Sequence, residues 1–176
     1  MSEPQAKPSS APILQLVAAA RRRLRWQGAF NGVTTALIVG SAIALWAVFG
    51  TRIELFSAAI GWSLGGVAIG AVIVGGIAGA WRVPSDERIA RRIDRASNLA
   101  DRLSTAVAFA SPAGAEPSDD PTTDELRAAA IRDAIAALPK ANAKAATPFS
   151  RPKDLPIAAG FLVISALAAG LALPPN

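Results

Sequence analysis

The chain has 176 residues, 52% apolar and 18% charged, a balance far more apolar than an ordinary soluble domain carries. It holds neither cysteine nor histidine, which removes disulfide frameworks, thiol nucleophiles, most zinc sites and every imidazole general base. The net charge of +5 would suit nucleic acid, but the excess lies beside an apolar span, where membrane topology accounts for it, so no nucleic-acid partner is expected.

Residues 1–28 form a basic, amphipathic start. In "SAPILQLVAAARRRLRW", Ile13, Leu16, Val17, Ala20 and Leu24 share one helical face, with Ser10 a suitable N-cap ahead of Pro12. Arg21, Arg22, Arg23 and Arg25 then stand next to Trp26 at the edge of a span. There they either hold the segment on anionic lipid, at about 1 kcal/mol per charge, or only fix topology.

Residues 29–81 read as a two-span hairpin, Phe30 to Gly50 and Gly61 to Trp81, each long enough to cross a bilayer and free of Lys, Arg, Asp and Glu. Trp26 and Trp46 bracket the first span and Trp62 and Trp81 the second, as amphipathic rings at headgroup level do. Ser41 to Ala44, "SAIA", is a competing signal-peptidase reading; the long polar leader and the matching second span favour an uncleaved anchor. Small residues recur every four positions: Ala36, Gly40 and Ala44; Gly61 with Gly65; Gly66 with Gly70; Ala71, Gly75 and Gly79; and later Ala166 with Gly170. Such faces let backbones approach, and packing within the hairpin is the favoured use over a specific oligomer. Gly61-Trp62-Ser63-Leu64-Gly65 matches the nucleophile elbow of serine hydrolases, yet it opens an apolar helix in a chain without histidine, so no catalytic residue is assigned.

Residues 82–154 carry twelve of the basic residues. Ser85 is placed to cap a helix with Asp86 and Glu87 in its first turn. Glu87 and Arg91 make an i, i+4 pair, and Ile89, Ile93, Ala96, Leu99 or Ala100, Leu103 and Val107 continue one apolar stripe. Ser97-Asn98 either breaks this helix, with Asp101 capping the next one near Ser104 or Thr105, or is passed by a straight helix. "SPAGAEPSDDP" reads as an acidic linker, Thr122 to Glu125 as a capping box opening a helix with Leu126, Ala130, Ile131, Ile135 and Leu138 on one side, and "PKANAKAATPFSRPKDLP" as an extended tether. Residues 155–173 form a third span, and 174–176 a tail.

The run "RVPSDERIARRIDRASNLADRLSTAVAF", set after an arginine-rich start and a two-span hairpin and before a third span, resembles the N-terminal region of large bacterial multi-span membrane proteins grouped as a domain of unknown function. The sequence-specific part covers Pro84 to Phe109. In that family the third span leads into a long periplasmic portion, so the resemblance implies either continuation past Asn176 or a shortened member. It implies no activity.

The expectation is therefore an all-α integral membrane protein with three transmembrane helices and short amphipathic cytoplasmic helices, without cofactor or metal. The N-terminus and residues 82–154 are expected in the cytoplasm of a bacterium, at its inner membrane. Its partners would be the bilayer and a protein meeting Ile93, Leu99, Asp101, Arg102 and Leu103; oligomeric state is left open. A non-enzymatic anchor or scaffold is the first reading and a subunit of a transport or export complex the second.

Overall fold

The computed structural model describes residues 9–111 and 120–172. The expected acidic linker, Lys7, Leu173 and the 174–176 tail lie wholly or mostly outside them. The described residues are all-α: α1 (Ala11–Arg52), α2 (Ala58–Trp81), α3 (Asp86–Ser97), α4 (Arg102–Ala110), α5 (Pro121–Ala137), a 3-10 turn (Leu138–Lys140), α6 (Ala143–Ala146) and α7 (Leu155–Ala172). The chain divides into two compact units, one of residues up to 24 with 83–149 and one of residues 25–82 with 150–176.

The first unit is a helical module with an inward apolar core. Ile13, Val17 and Ala20 of α1 are buried with Ile89, Ala90 and Ile93 of α3, Leu103, Ala106 and Val107 of α4, and Ala134 and Ala137 of α5. The apolar face at the chain's start is thus covered by protein, and no break separates it from the first apolar span: α1 runs through both for 42 residues. Arg21 is tied to Asp86 at 3.2 Å. The Glu87–Arg91 pair forms as expected.

Local caps depart from the sequence rules in instructive ways. Ser9 rather than Ser10 lends its hydroxyl to the start of α1, accepting from the Ala11 N–H at 3.3 Å. Ser85 stands at the N-cap of α3 with its side chain unused. Helix α5 begins one residue before the Thr122 box, with Pro121 at its first position and Asp120 as the cap, accepting from the Thr122 N–H at 3.0 Å. Its buried side is Ala134 and Ala137 flanked by Ile131, Ile135 and Leu138, while Leu126 faces outward. The tether also holds more structure than its prolines suggest. Asn142 caps the short α6 by accepting from the Ala145 N–H at 3.0 Å, and its own N–H donates to Ser97 Oγ at 2.8 Å.

The second unit is organised by backbone contact. A Cβ placed on Gly28 or Gly32 of α1 would overlap the carbonyl oxygen of Gly79 or Gly75 of α2, and one on Gly79 would overlap that of Gly28. Helix–helix approach this close is possible only where both sides lack side chains. Ala36 continues the same contact against Gly75, and Gly40 meets Ala68. The expected intrahelical pattern is therefore half of the answer: Gly75 and Gly79 are used within the hairpin, but their partners Gly28 and Gly32 precede the four-residue series noted in α1. By contrast Gly65, Gly66, Gly70, Gly160 and Gly170 have nothing within 4 Å of a Cβ position. At the hairpin turn Glu54 takes φ 56°, and the Phe56 ring lies over Gly50 and 5.3 Å from the Trp46 ring.

Helix α7 runs alongside α1 in the same direction. Gln27 donates to Ser150 Oγ at 2.6 Å, the Ser165 hydroxyl, which donates to the Phe161 carbonyl at 2.8 Å, lies 3.3 Å from the Ser41 carbonyl, and the Arg52 guanidinium donates to the Leu171 carbonyl at the negative end of α7. Helices α1 and α2 are long and apolar enough to cross a bilayer. At 18 residues, α7 spans only ~27 Å, slightly short of a hydrocarbon core of ~30 Å.

Two outcomes follow. Gly32→Ala forces the hairpin backbones apart and lowers stability by about 1–3 kcal/mol, whereas Gly66→Ala leaves it unchanged or slightly raised; thermal unfolding of the full chain in detergent micelles, followed by circular dichroism, separates them. Equal midpoints for the two variants would contradict the contact. The backbone hydrogen bond from Thr122 holds the Asp120 carboxyl below its ordinary value of 3.8, so its capping contribution is complete above that pH and is lost as pH falls through the lower folded value. An acid titration of the Thr122 amide by NMR should show a midpoint under 3.8.

Candidate functional site

The run from Pro84 to Phe109 centres on the joint between α3 and α4, and the joint is built around Asp94. Helix α3 ends at Ser97, and Asn98 takes the left-handed conformation, φ 52°, with its N–H returning to the Asp94 carbonyl. The Leu99 N–H donates to the same oxygen at 2.9 Å. The Asp94 side chain then starts the next helix: its two carboxylate oxygens accept from the Leu103 N–H at 3.0 Å and the Ser104 N–H at 2.8 Å. Asp94 is 1% exposed, so both bonds are shielded from water and from screening by salt. A negative group at the positive end of α4 also suits the helix dipole.

This arrangement settles the question left open by the sequence in favour of a break, and it reassigns the cap. Asp101 occupies the position before α4 but makes no side-chain cap; it takes φ 60° after Ala100 at φ 50°. A carboxylate seven residues upstream does the work expected of it. The sequence signal for Asp94 was available only as a polar residue within the apolar stripe, beside Ile93.

The expected partner-contact residues separate into two groups. Ile93 and Leu103 are fully buried and Leu99 nearly so, all within the module's own core, so these three are not available to a partner. Asp101 and Arg102 face outward, and Arg102 Nε lies 3.2 Å from Asp133 of α5. Beside the joint is a cleft of about 410 Å³ whose walls include Glu87, Arg91, Arg95, Asp101, Thr105 and Phe109. With Arg91 held by Glu87, the groups it presents are the Arg95 guanidinium, the Asp101 carboxylate and the Thr105 hydroxyl. That set offers ionic and hydrogen-bonding contact.

In the other unit, Trp26, Trp46, Trp62 and Trp81 are all largely exposed, Trp62 and Trp81 at 83%. Arg22, Arg23 and Arg25 are exposed as well, while Arg21 is half-buried against Asp86. The hydrolase-like Ser63 lies inside α2, where its hydroxyl donates to the Ala59 and Ile60 carbonyls at 3.1 and 2.9 Å. Among the described residues no group of acidic side chains is placed to hold a metal ion.

Removing the Asp94 carboxylate leaves two buried amides without acceptors. Asp94→Ala should lower the stability of the module by about 2–3 kcal/mol and abolish hydrogen-exchange protection at Leu103 and Ser104. Asp101→Gly should change it by less than about 0.5 kcal/mol, or raise it, because glycine relieves the positive φ. The reverse ranking would restore Asp101 as the cap. No family model, curated protein or solved structure matches this chain.

Proposed function

We propose that the chain is a non-enzymatic anchor in the cytoplasmic membrane of a bacterium, holding a compact helical module at the inner surface. The observation that carries this reading is the inverted burial of the two units. In the module, apolar side chains point inward. In the other unit Phe49, Ile69, Val74, Leu167 and the four tryptophans point outward, and only 6% of the most apolar stretch of α2 is buried. A core helix of a water-soluble protein has the opposite exposure, so the outward apolar surface calls for lipid as its solvent.

In this reading α1 from about residue 30, α2 and α7 are three crossings, the last one thinning the bilayer slightly or ending in its interface. The basic bias favours a cytoplasmic module and an external hairpin turn at Ile53 to Ser57. Arg25, Arg82, Arg151 and Lys153 gather near one end of the helical unit, and Arg52 with Glu54 near the other. The module would act by contact, through the cleft at Arg95, Asp101 and Thr105.

A second reading, subunit of a transport or export complex, draws on the open small-residue positions of α2 and α7, which leave faces free for other helices. Reporter fusions test the topology: a periplasm-active reporter after Glu54 should give signal and the same reporter after Phe149 none. The opposite pattern, or extraction of the chain from membranes by alkaline carbonate, would overturn the anchor. Affinity capture with wild type and Arg95→Ala distinguishes the readings, since loss of a cytoplasmic partner with the chain still membrane-bound supports the scaffold.

A further inference from the structure

The glycine contact between α1 and α2 does more than close the hairpin, because it leaves a groove along the outside. The groove has a volume of about 500 Å³, within the ~300–1,000 Å³ typical of sites for small molecules. Its floor is the backbone of Gly28, Gly32, Gly75 and Gly79. One wall carries Asn31, Thr35 and Val39, and the other Ala78 and Arg82. Asn31 and Thr35 are exposed side chains on an otherwise apolar helix, one turn apart. Among the described residues neither makes a side-chain hydrogen bond to a neighbouring helix that would explain a polar group there, whereas the nearby Thr34 hydroxyl is spent on the Phe30 carbonyl at 2.8 Å.

The charge lies at one end. Arg82 lines that end, exposed and without an ion pair among the described residues, and Arg25, also exposed and without one among them, precedes Gly28 by three residues in α1. A slot that is apolar along its length, polar partway and cationic at its mouth matches the chemistry of one molecule: a phospholipid with an anionic headgroup. We infer that this groove is a binding site for an anionic phospholipid. The headgroup phosphate sits against Arg82 and Arg25, the glycerol and ester oxygens lie over the glycine floor and accept from Asn31 and Thr35, and one acyl chain continues past Val39.

A second copy of the chain is the competing occupant, and two features oppose it. Copies in one membrane share an orientation, so a two-fold contact through this face would set Arg82 against Arg82 and Arg25 against Arg25. Like charges at close range repel. A concave face also leaves a void when laid against itself.

The inference rests on the membrane reading, and the experiment separates the two. The full chain, with Trp26, Trp46 and Trp62 replaced by Phe, is reconstituted in phosphatidylcholine vesicles, so that Trp81 beside Arg82 reports on the groove. Its fluorescence is titrated with brominated phosphatidylglycerol and, separately, with brominated phosphatidylcholine. Wild type should prefer phosphatidylglycerol. Arg82→Gln should lower that preference about fivefold, and Ala78→Phe, which fills the groove from an exposed position, should also reduce it, while Arg132→Gln in the other unit leaves it unchanged. Equal preference in wild type, Arg82→Gln and Ala78→Phe would overturn the site while the chain stays in the vesicles. A chemically cross-linked dimer lost in Ala78→Phe, with lipid preference intact, would overturn it in favour of a second copy. A chain washed from the vesicles by carbonate would overturn the membrane reading itself.

Discussion

Asp94 is the point on which the helical module turns. Its main-chain oxygen collects two amides that end α3, and its side chain collects two that begin α4. Two helix ends meet within four residues, and each brings donors or acceptors that must find partners once water is excluded. With the joint fixed, Ile93, Leu99 and Leu103 converge on one core although the chain reverses direction between them. The left-handed residues Asn98, Ala100 and Asp101 are the conformational cost of that reversal, and only Asn and Asp among them tolerate it well.

The two units solve packing by different physics from similar material. Both are rich in alanine, yet the module gathers its larger aliphatic residues inward and leaves its charges outside, the arrangement that water enforces. In the hairpin the larger residues face out and the interface is glycine on glycine. In the proposed lipid setting such helices would have no apolar surface to hide, and close approach and dispersion would take over from hydrophobic burial as the source of association.

Features governed by local rules were readable from the chain alone. The end of the second span at Trp81, the helix opening with Asp86 and Glu87, and the Glu87–Arg91 pair each depend on neighbours within a turn. Features governed by spatial competition were not. Asp101 has the residue type and position of a cap, but the backbone takes φ 60° there and Asp94 reaches the same amides from a buried position. Thr122 scores as a cap until Asp120 and the following proline are weighed together. Gly28 and Gly32 stand at and just before the start of the first apolar stretch, outside the four-residue series noted there, and only the facing Gly75 and Gly79 reveal their use. The partner-contact expectation failed at Ile93, Leu99 and Leu103 because an amphipathic stripe states that a surface is needed without stating whose; here α1 and α5 supply it.

The module is discontinuous in the chain, and that has a consequence for how the protein is made. Ile13, Val17 and Ala20 leave the ribosome well before Ile89, Ile93 and Leu103, yet all six belong to one core. Everything between them is hairpin, so in the proposed anchor the number of crossings that separate the two halves must be even. A hairpin that inserts only one of its helices strands the halves on opposite faces of the bilayer, each with an uncovered apolar stripe that quality-control proteases can find. Closure of the core thereby becomes a parity check on insertion, performed by the protein itself.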